Sequence, residues 1–400
     1  MSDYFLFLPG DVLIDILARL PLKTLVRCTS VCKSWYSLLT NPSFITKHLN
    51  LNRSPSNNYN ELLLVRSYTS RDDGDEQEHY SLRFDDNGMF LEYQELDLPL
   101  KSYCNHYFRI IGSCNGLICL SDDQFMYIPG IFLWNPSIRK VLPLNPLPIT
   151  FKSHGPYTHT IGFGFDSITD DYKVVRIVRL QFVRKSEIDI FSLSTGTWRN
   201  ISHVALPHIT IDEKAPQAYL NGAAHWIASS LRGHRGLIGH GSLIVSFHMG
   251  HEEFGEIMLS NRIMVHSNYL MMPNYPYFRV DKFQESLAVI LFSGCSEDNT
   301  CRVWVMKEYG VTESWTQQFN IDMTQTFNTL AGFTRKGELL LATSDGYLVA
   351  HDPQAGRSTH LFIRGTTHSI YRYSFYADAY TESLVLLGNR FCDTGTSEES

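Results

Sequence analysis

Leu8-Pro9-Gly10-Asp11-Val12-Leu13-Ile14-Asp15-Ile16-Leu17-Ala18-Arg19-Leu20-Pro21 reads as one amphipathic helix with a hard stop. Val12, Leu13, Ile16, Leu17 and Leu20 recur at spacings of one, three and four, which lines one helical face. Asp11 and Asp15 come early, where a carboxylate suits the positive end of the helix dipole. Pro21 ends the run, because proline lacks the amide proton and disfavours helix at the residue before it. Leu22, Leu25 and Val26 form a short second stripe. Ser30 is the expected N-cap of a third helix bearing Val31, Trp35, Leu38 and Leu39, which Pro42 terminates. A module below roughly 40 residues buries too little to fold alone. These helices therefore need a surface to complete them, either the downstream chain or another protein.

The residue identities add to that choice. Leu8-Pro9, Ile16-Leu17-Ala18-Arg19-Leu20-Pro21, Val31-Cys32-Lys33-Ser34-Trp35 and Pro42-Ser43-Phe44 stand in the order of the F-box motif, which this segment resembles. F-box modules dock onto the Skp adaptor of cullin-RING ubiquitin ligases, and the resemblance implies the same partners here. By match to the motif, the adaptor-binding candidates are Leu8, Pro9, Val12, Leu13, Ile16, Leu17, Leu20, Pro21, Val31, Trp35 and Leu38.

After Leu51 the chain changes character. Arg53-Ser54-Pro55-Ser56-Asn57-Asn58-Tyr59-Asn60 is polar and turn-rich. This divides the sequence into a helical module over 1–50, a linker over 51–60 and a large domain over 61–400. In the last, short strand patterns alternate with Gly, Asn, Asp, Ser and Pro turns, which indicates an all-β domain. A rough repeat runs through it. Gly116–Leu120 with Phe132–Pro136 and Lys140–Leu142 is one unit, and Tyr172–Val178 with Ile188–Ser192 is the next. Gly222–Ile227 with Leu243–Phe247, Leu287–Phe292 with Val303–Met306, and Glu338–Ala342 with Tyr347–Ala350 continue it. Trp134, Phe191, Phe247 and Trp304 take like places about 57 residues apart, a spacing in the range of repeat architectures.

Repeated β-units arranged round an axis protect their edges, as in a β-propeller. Glu61–Val65 and Phe90–Tyr93 supply early strands, and Ser383-Leu384-Val385-Leu386-Leu387 is the expected last strand that joins them in a composite blade. The fold class is thus a small all-α module followed by a large all-β domain, a β-propeller of about six blades. A β-sandwich uses about 100 residues, so two or three would be needed, without a second linker to separate them.

Gly112-Ser113-Cys114-Asn115-Gly116-Leu117-Ile118-Cys119, Leu133-Trp134-Asn135-Pro136-Ser137-Ile138-Arg139-Lys140, Gly162-Phe163-Gly164-Phe165-Asp166, Asp171-Tyr172-Lys173-Val174-Val175, Asp189–Leu193 and Leu220-Asn221-Gly222-Ala223-Ala224-His225-Trp226 resemble the plant F-box-associated domain. The pair of modules is similar to plant F-box proteins, including the S-locus F-box proteins and their relatives. That resemblance implies a substrate-recruiting adaptor of a Skp-cullin-F-box ligase with a protein target. For the S-locus group the target would be an S-ribonuclease in pollen self-incompatibility.

Composition is compatible with this. Hydrophobic residues make up 44% of the chain, enough for a large core, and the net charge of −7 argues against nucleic acid as partner. The apolar start, Tyr4 to Leu8, lacks a basic leader, and no run approaches 18 apolar residues, so neither a signal peptide nor a membrane span is expected. The expected location is cytoplasmic or nuclear. Eight irregularly spaced cysteines, with Cys28 and Cys32 placed to share a helical face, read as free thiols.

Catalytic patterns do not assemble. Gly162-x-Gly164 lacks a third glycine and lies in β-type sequence. His248-Met249-Gly250-His251-Glu252-Glu253 and Asp72-Asp73-Gly74-Asp75-Glu76 read as solvated turns rather than metal sites. No cofactor and no enzymatic role are expected. A propeller-scaffold enzyme and an F-box protein acting outside the ligase are the competing readings, since a fold does not fix a function. For the target, Asn268–Phe278 is rich in Tyr and Met, side chains suited to adaptable contacts. It offers Tyr269, Met271, Met272, Tyr275 and Tyr277.

Overall fold

Four short helices are followed by six β-sheets. The computed structural model describes residues 9–53, 62–70, 76–85, 90–102, 108–122, 130–145, 155–180, 186–204, 209–211, 216–230, 242–265, 277–292, 299–323, 327–365 and 375–388. The helices are α1 (Gly10–Ala18), α2 (Leu22–Cys28), α3 (Lys33–Leu39) and α4 (Pro42–Asn52). Pro21 separates the first two as expected. The cap of α3 differs from expectation: Cys32 holds the N-cap position, while the Ser30 hydroxyl donates to the Arg27 carbonyl at the end of α2. Cys28 and Cys32 thus fall on different helices. Pro42 does more than end α3. It opens α4, with the Asn41 side chain accepting from the Ser43 amide at 2.9 Å, because proline fits the first helical turn where its missing N–H is not needed.

The sheets form in chain order. The first holds β1 (Leu62–Ser70), β2 (Glu76–Phe84) and β3 (Glu92–Leu96), the second β4 (Arg109–Cys114), β5 (Leu117–Asp122), β6 (Gly130–Asn135) and β7 (Lys140–Leu144). The third holds β8 (Tyr157–Asp166), β9 (Asp171–Leu180), β10 (Ser186–Ser192) and β11 (Thr197–Asn200). The fourth has β12 (Ile209–Ile211), β13 (Ala218–Leu220), β14 (Ala223–Ser230), β15 (Ser242–His248) and β16 (Glu253–Met258). The fifth has β17 (Tyr277–Phe283), β18 (Ser286–Phe292), β19 (Thr300–Met306) and β20 (Trp315–Asp322). The sixth has β21 (Phe327–Phe333), β22 (Leu339–Thr343), β23 (Tyr347–Asp352) and β24 (Arg357–Arg364). Finally β25 (Phe375–Tyr380) returns to pair antiparallel with β1, Leu62 opposite Tyr380 and Ser67 opposite Phe375, and completes the first sheet. This is a six-bladed β-propeller with a composite blade.

Sequence pattern follows position within a blade. Second strands such as β5 and β22 are buried at every residue, because sheets lie against both faces. Outer strands such as β20 and β24 are mostly exposed. Trp134, Phe191, Phe247 and Trp304 all lie on third strands and are nearly or fully buried, so the 57-residue spacing marks one packing position repeated blade to blade. The Asn-Gly pairs at 115–116 and 221–222 make the first hairpin turns of blades two and four. Both residues of each pair have positive φ, the geometry for which Asn-Gly is preferred in two-residue hairpins.

The closing strand is where expectation fails. Ser383–Leu387 is not a strand but a turn beyond β25. Its apolar residues cover other surfaces: Leu384 packs among the helices, while Val385 and Leu386 pack against blade two. Strand β25, Phe-Tyr-Ala-Asp-Ala-Tyr, carries less apolar character yet has the pairing partner.

Candidate functional site

Helix sequence and packing divide the helical module into two sides. Leu17, Ala18, Leu22, Leu25, Leu39 and Phe44 form its buried core together with Leu384. Ile138, from the turn between β6 and β7, and Leu387 pack against the same cluster. Outside that core four large apolar side chains are exposed: Val12 is 42% exposed, Ile16 43%, Val31 63% and Tyr36 47%. Val12 and Ile16 are four residues apart on α1 and so share a face. The sequence-derived set therefore separates. Pro9, Val12, Ile16, Pro21 and Val31 are exposed, Leu13, Leu20, Trp35 and Leu38 are half-buried, and Leu17 is core. Leu8 lies outside the described residues. Tyr36 was absent from the set, although its place one residue after Trp35 turns it to another face of α3.

The seat of the helices is built by residues of the propeller motifs. Asn135 donates through Nδ2 to the carbonyls of Ser383 at 2.9 Å and Val385 at 2.7 Å, and its Oδ1 accepts from the Ser137 amide at 3.1 Å. The Tyr380 hydroxyl donates to the Gly116 carbonyl at 3.0 Å and lies 2.9 Å from the Ser137 hydroxyl. A Cβ on Gly116 would lie 2.6 Å from the Thr381 carbonyl oxygen, so glycine there admits the tail as well as the turn. At the edge of the joint Lys23 Nζ stands 4.7 Å over the Tyr93 ring, and the Tyr93 hydroxyl donates to Glu382 at 3.5 Å. Burial raises the Glu382 carboxyl above its ordinary range, with Lys23 opposing it. On the far side the Thr46 hydroxyl donates to Asp170 at 3.4 Å.

A second feature lies on the propeller axis. Strands β4, β8, β13, β17, β21 and β25, one from each blade, line one cavity of about 830 Å³, the size range of small-molecule sites. Arg66, Arg109 and Arg279 line it, and Arg53, the C-cap of α4, stands at its rim with Lys282 and Arg335. None of these was singled out from sequence. Arg66 and Arg279 were nonetheless visible as cations inside apolar strand patterns, Leu-Leu-Leu-Val-Arg and Tyr-Phe-Arg-Val, where burial demands a reason.

Tyr269, Met271, Met272 and Tyr275 lie outside the described residues, and Tyr277 opens β17, its backbone opposite Phe292. In the turn between β15 and β16, Glu252 is not simply solvated: it pairs with Lys173 at 2.9 Å and with Arg199 at 2.8 Å, tying blades three and four together. Among the described residues no three His, Cys, Asp or Glu side chains gather in a way that could hold a metal. No described helix is long and apolar enough to cross a membrane.

A family model for the F-box associated beta propeller domain matches residues 64–383, and one for the F-box domain matches residues 5–47. The chain belongs to the F-box proteins with an associated β-propeller domain. Similar proteins come from Arabidopsis thaliana. The F-box protein At3g07870 is 27% identical, with 90% of this chain and 88% of that protein aligned. The F-box/kelch-repeat protein At3g23880 is 28% identical over 90% and 89% of the two chains. The F-box protein CPR1 is 28% identical over 95% and 89%. None of the three carries an S-locus name. The F-box match ends at Phe44 plus three residues, so α4 runs on from it to carry Arg53 to the propeller axis.

Proposed function

We propose that this chain is the non-catalytic substrate-recognition subunit of a Skp-cullin-F-box ubiquitin ligase. The observation that carries the reading is the open side of the F-box. Val12, Ile16, Val31 and Tyr36 stay exposed after the opposite side has been satisfied by Leu384, Leu387 and Ile138. Val12 and Ile16 share one face of α1, and an exposed apolar face on so small a module suits a partner surface. A Skp-family adaptor, and through it a cullin, would cover that surface, while the propeller recruits a protein for ubiquitination in the cytoplasm or nucleus.

The test is a double substitution, Val12→Asp with Ile16→Asp. Both side chains face solvent, so thermal stability should hold while co-purification of the adaptor is lost. Retained adaptor binding by the folded variant would refute the assignment. The finer reading is a basic secreted-type ribonuclease as target. Its support is the S-locus resemblance together with the net charge of −7, which would make association with a basic partner faster and salt-sensitive. A panel of basic ribonucleases measured at low and raised salt decides it. Failure to bind any of them would remove this target and leave the adaptor reading standing.

A further inference from the structure

The cavity on the propeller axis has a charge opposite to that of the chain. The protein as a whole carries −7, yet the ionisable lining comprises six cations against Asp281, Glu285 and Asp378. The cations form two tiers. Arg66 and Arg279 are buried deep and Arg109 half-buried, whereas Arg53, Lys282 and Arg335 are exposed at the mouth. The deep pair is held by neutral acceptors as well as acids. Arg66 donates to the Phe108 carbonyl at 3.2 Å, and Arg279 to the Leu330 carbonyl at 2.7 Å. A carbonyl fixes a guanidinium without cancelling its charge; Asp281, 2.6 Å from Arg279, and Glu285, 3.0 Å from Lys282, do offset theirs, and the six cations still outnumber the three lining acids. Two nearby acids sit in surroundings that disfavour their charge. Burial pushes the Glu78 carboxyl, 3.5 Å from Arg66, up to about 7, and burial likewise raises Asp378. A positive surplus inside low-dielectric walls focuses its field on the cavity.

We propose that the propeller channel is a binding site for a small, multiply charged anion bearing phosphate or carboxylate groups. The deep arginines would engage one anionic group and the mouth cations a second. Because Arg53 belongs to the last turn of the F-box helices and the other cations to the propeller, the bound anion would bridge the two modules. This inference rests on the cavity alone and is independent of the adaptor reading.

Isothermal titration of the full chain with tripolyphosphate, with citrate and with the cation spermine tests it. One saturable anion site per chain is expected, weakening as salt rises and accompanied by a concentration-dependent rise in melting temperature. Tripolyphosphate binding without citrate, or the reverse, identifies the anionic group. The triple variant Arg53→Gln, Lys282→Gln, Arg335→Gln should bind about tenfold more weakly or worse. Glu285→Gln, which removes an exposed acid at the mouth, should bind more tightly, and it keeps the test decisive if the triple variant does not fold. Absence of saturable binding by either anion, equal affinity in wild type and both variants, or preference for spermine would overturn the proposal.

Discussion

The F-box and the propeller bury their apolar residues by different means. Each inner blade is packed between two others, so a residue such as Leu341 or Val289 finds its neighbours within a repeating architecture. The F-box has four helices of seven to eleven residues and borrows the rest of its core from the far end of the chain, through Leu384 and Leu387. The two modules are therefore not independent beads. The site that would meet the ligase is stabilised by residues some 340 positions later in sequence, held in place by the propeller motif residue Asn135.

The sharpest way to break this comparison is Leu384→Ala. Truncating a fully buried leucine costs about 2–5 kcal/mol. Amide exchange in α1 to α4 should accelerate and adaptor capture should fall, while β14 and β18 on distant blades keep their protection. Equal acceleration everywhere would mean the modules share one cooperative unit. By the same logic, deleting residues 1–50 uncovers Ile138, Leu384 and Leu387, so the isolated propeller should remain folded but self-associate, as read by light scattering.

Asn135→Ala comes next. It removes two donors to buried carbonyls, at an expected cost of about 3 kcal/mol. The same F-box helices should loosen even though the substitution lies in a blade. A melt that changes without altered exchange in α1 to α4 would break the proposed link.

A pH series sharpens the propeller side. His225 is fully buried in blade four, its Nδ1 donating to the Ala218 carbonyl at 3.1 Å and its Nε2 placed 2.7 Å from the Tyr309 hydroxyl, which suits the neutral ring. Burial lowers its pKa to about 4, against 6.5 ordinarily. Between those values the unfolded chain binds the extra proton, so stability is lost as pH falls from 6.5 towards 4, by roughly 2 kcal/mol at about pH 5. Glu78, raised to about 7, acts in the opposite sense, its contribution fading as pH rises through that value. His225→Gln should therefore flatten the acid limb of the wild-type profile measured by denaturant titration. An unchanged limb would assign the loss to other groups.

The smallest effect is expected at Lys23→Gln. Its stacking over Tyr93 is partly exposed and worth about 0.5 kcal/mol. A larger change in melting temperature would show that the edge of the joint matters as much as its apolar centre.

The legible parts of the sequence were those where identity and periodicity pointed the same way. The second and third strands of five blades declare themselves, because burial on both faces forces near-continuous apolar runs such as Leu287–Phe292. Strand β2, Glu-Gln-Glu-His-Tyr-Ser-Leu-Arg-Phe, is not legible because its apolar content is low, although its partners β1 and β3 are its neighbours in sequence. The apolar run Ser383–Leu387 was misread as a strand for the complementary reason. A short run reports burial without reporting which element does the burying. The F-box helices were readable from spacing, but their division into a seated and an open side depended on Leu384, which no local pattern announces. The axial cations were equally hidden, since converging on one cavity requires six blades to close first.

Ring closure by β25 also has a consequence for biosynthesis. Chains are made from the N-terminus at about 5–20 residues per second, so the F-box emerges first and waits while the blades are added. Strand β1 has no inner neighbour until Phe375–Tyr380 is available, and the helices have no seat until Leu384 follows. Both events fall within the same few residues of translation. A message truncated anywhere upstream would therefore yield a product with an open ring and an unseated F-box together, never a seated F-box without a closed propeller.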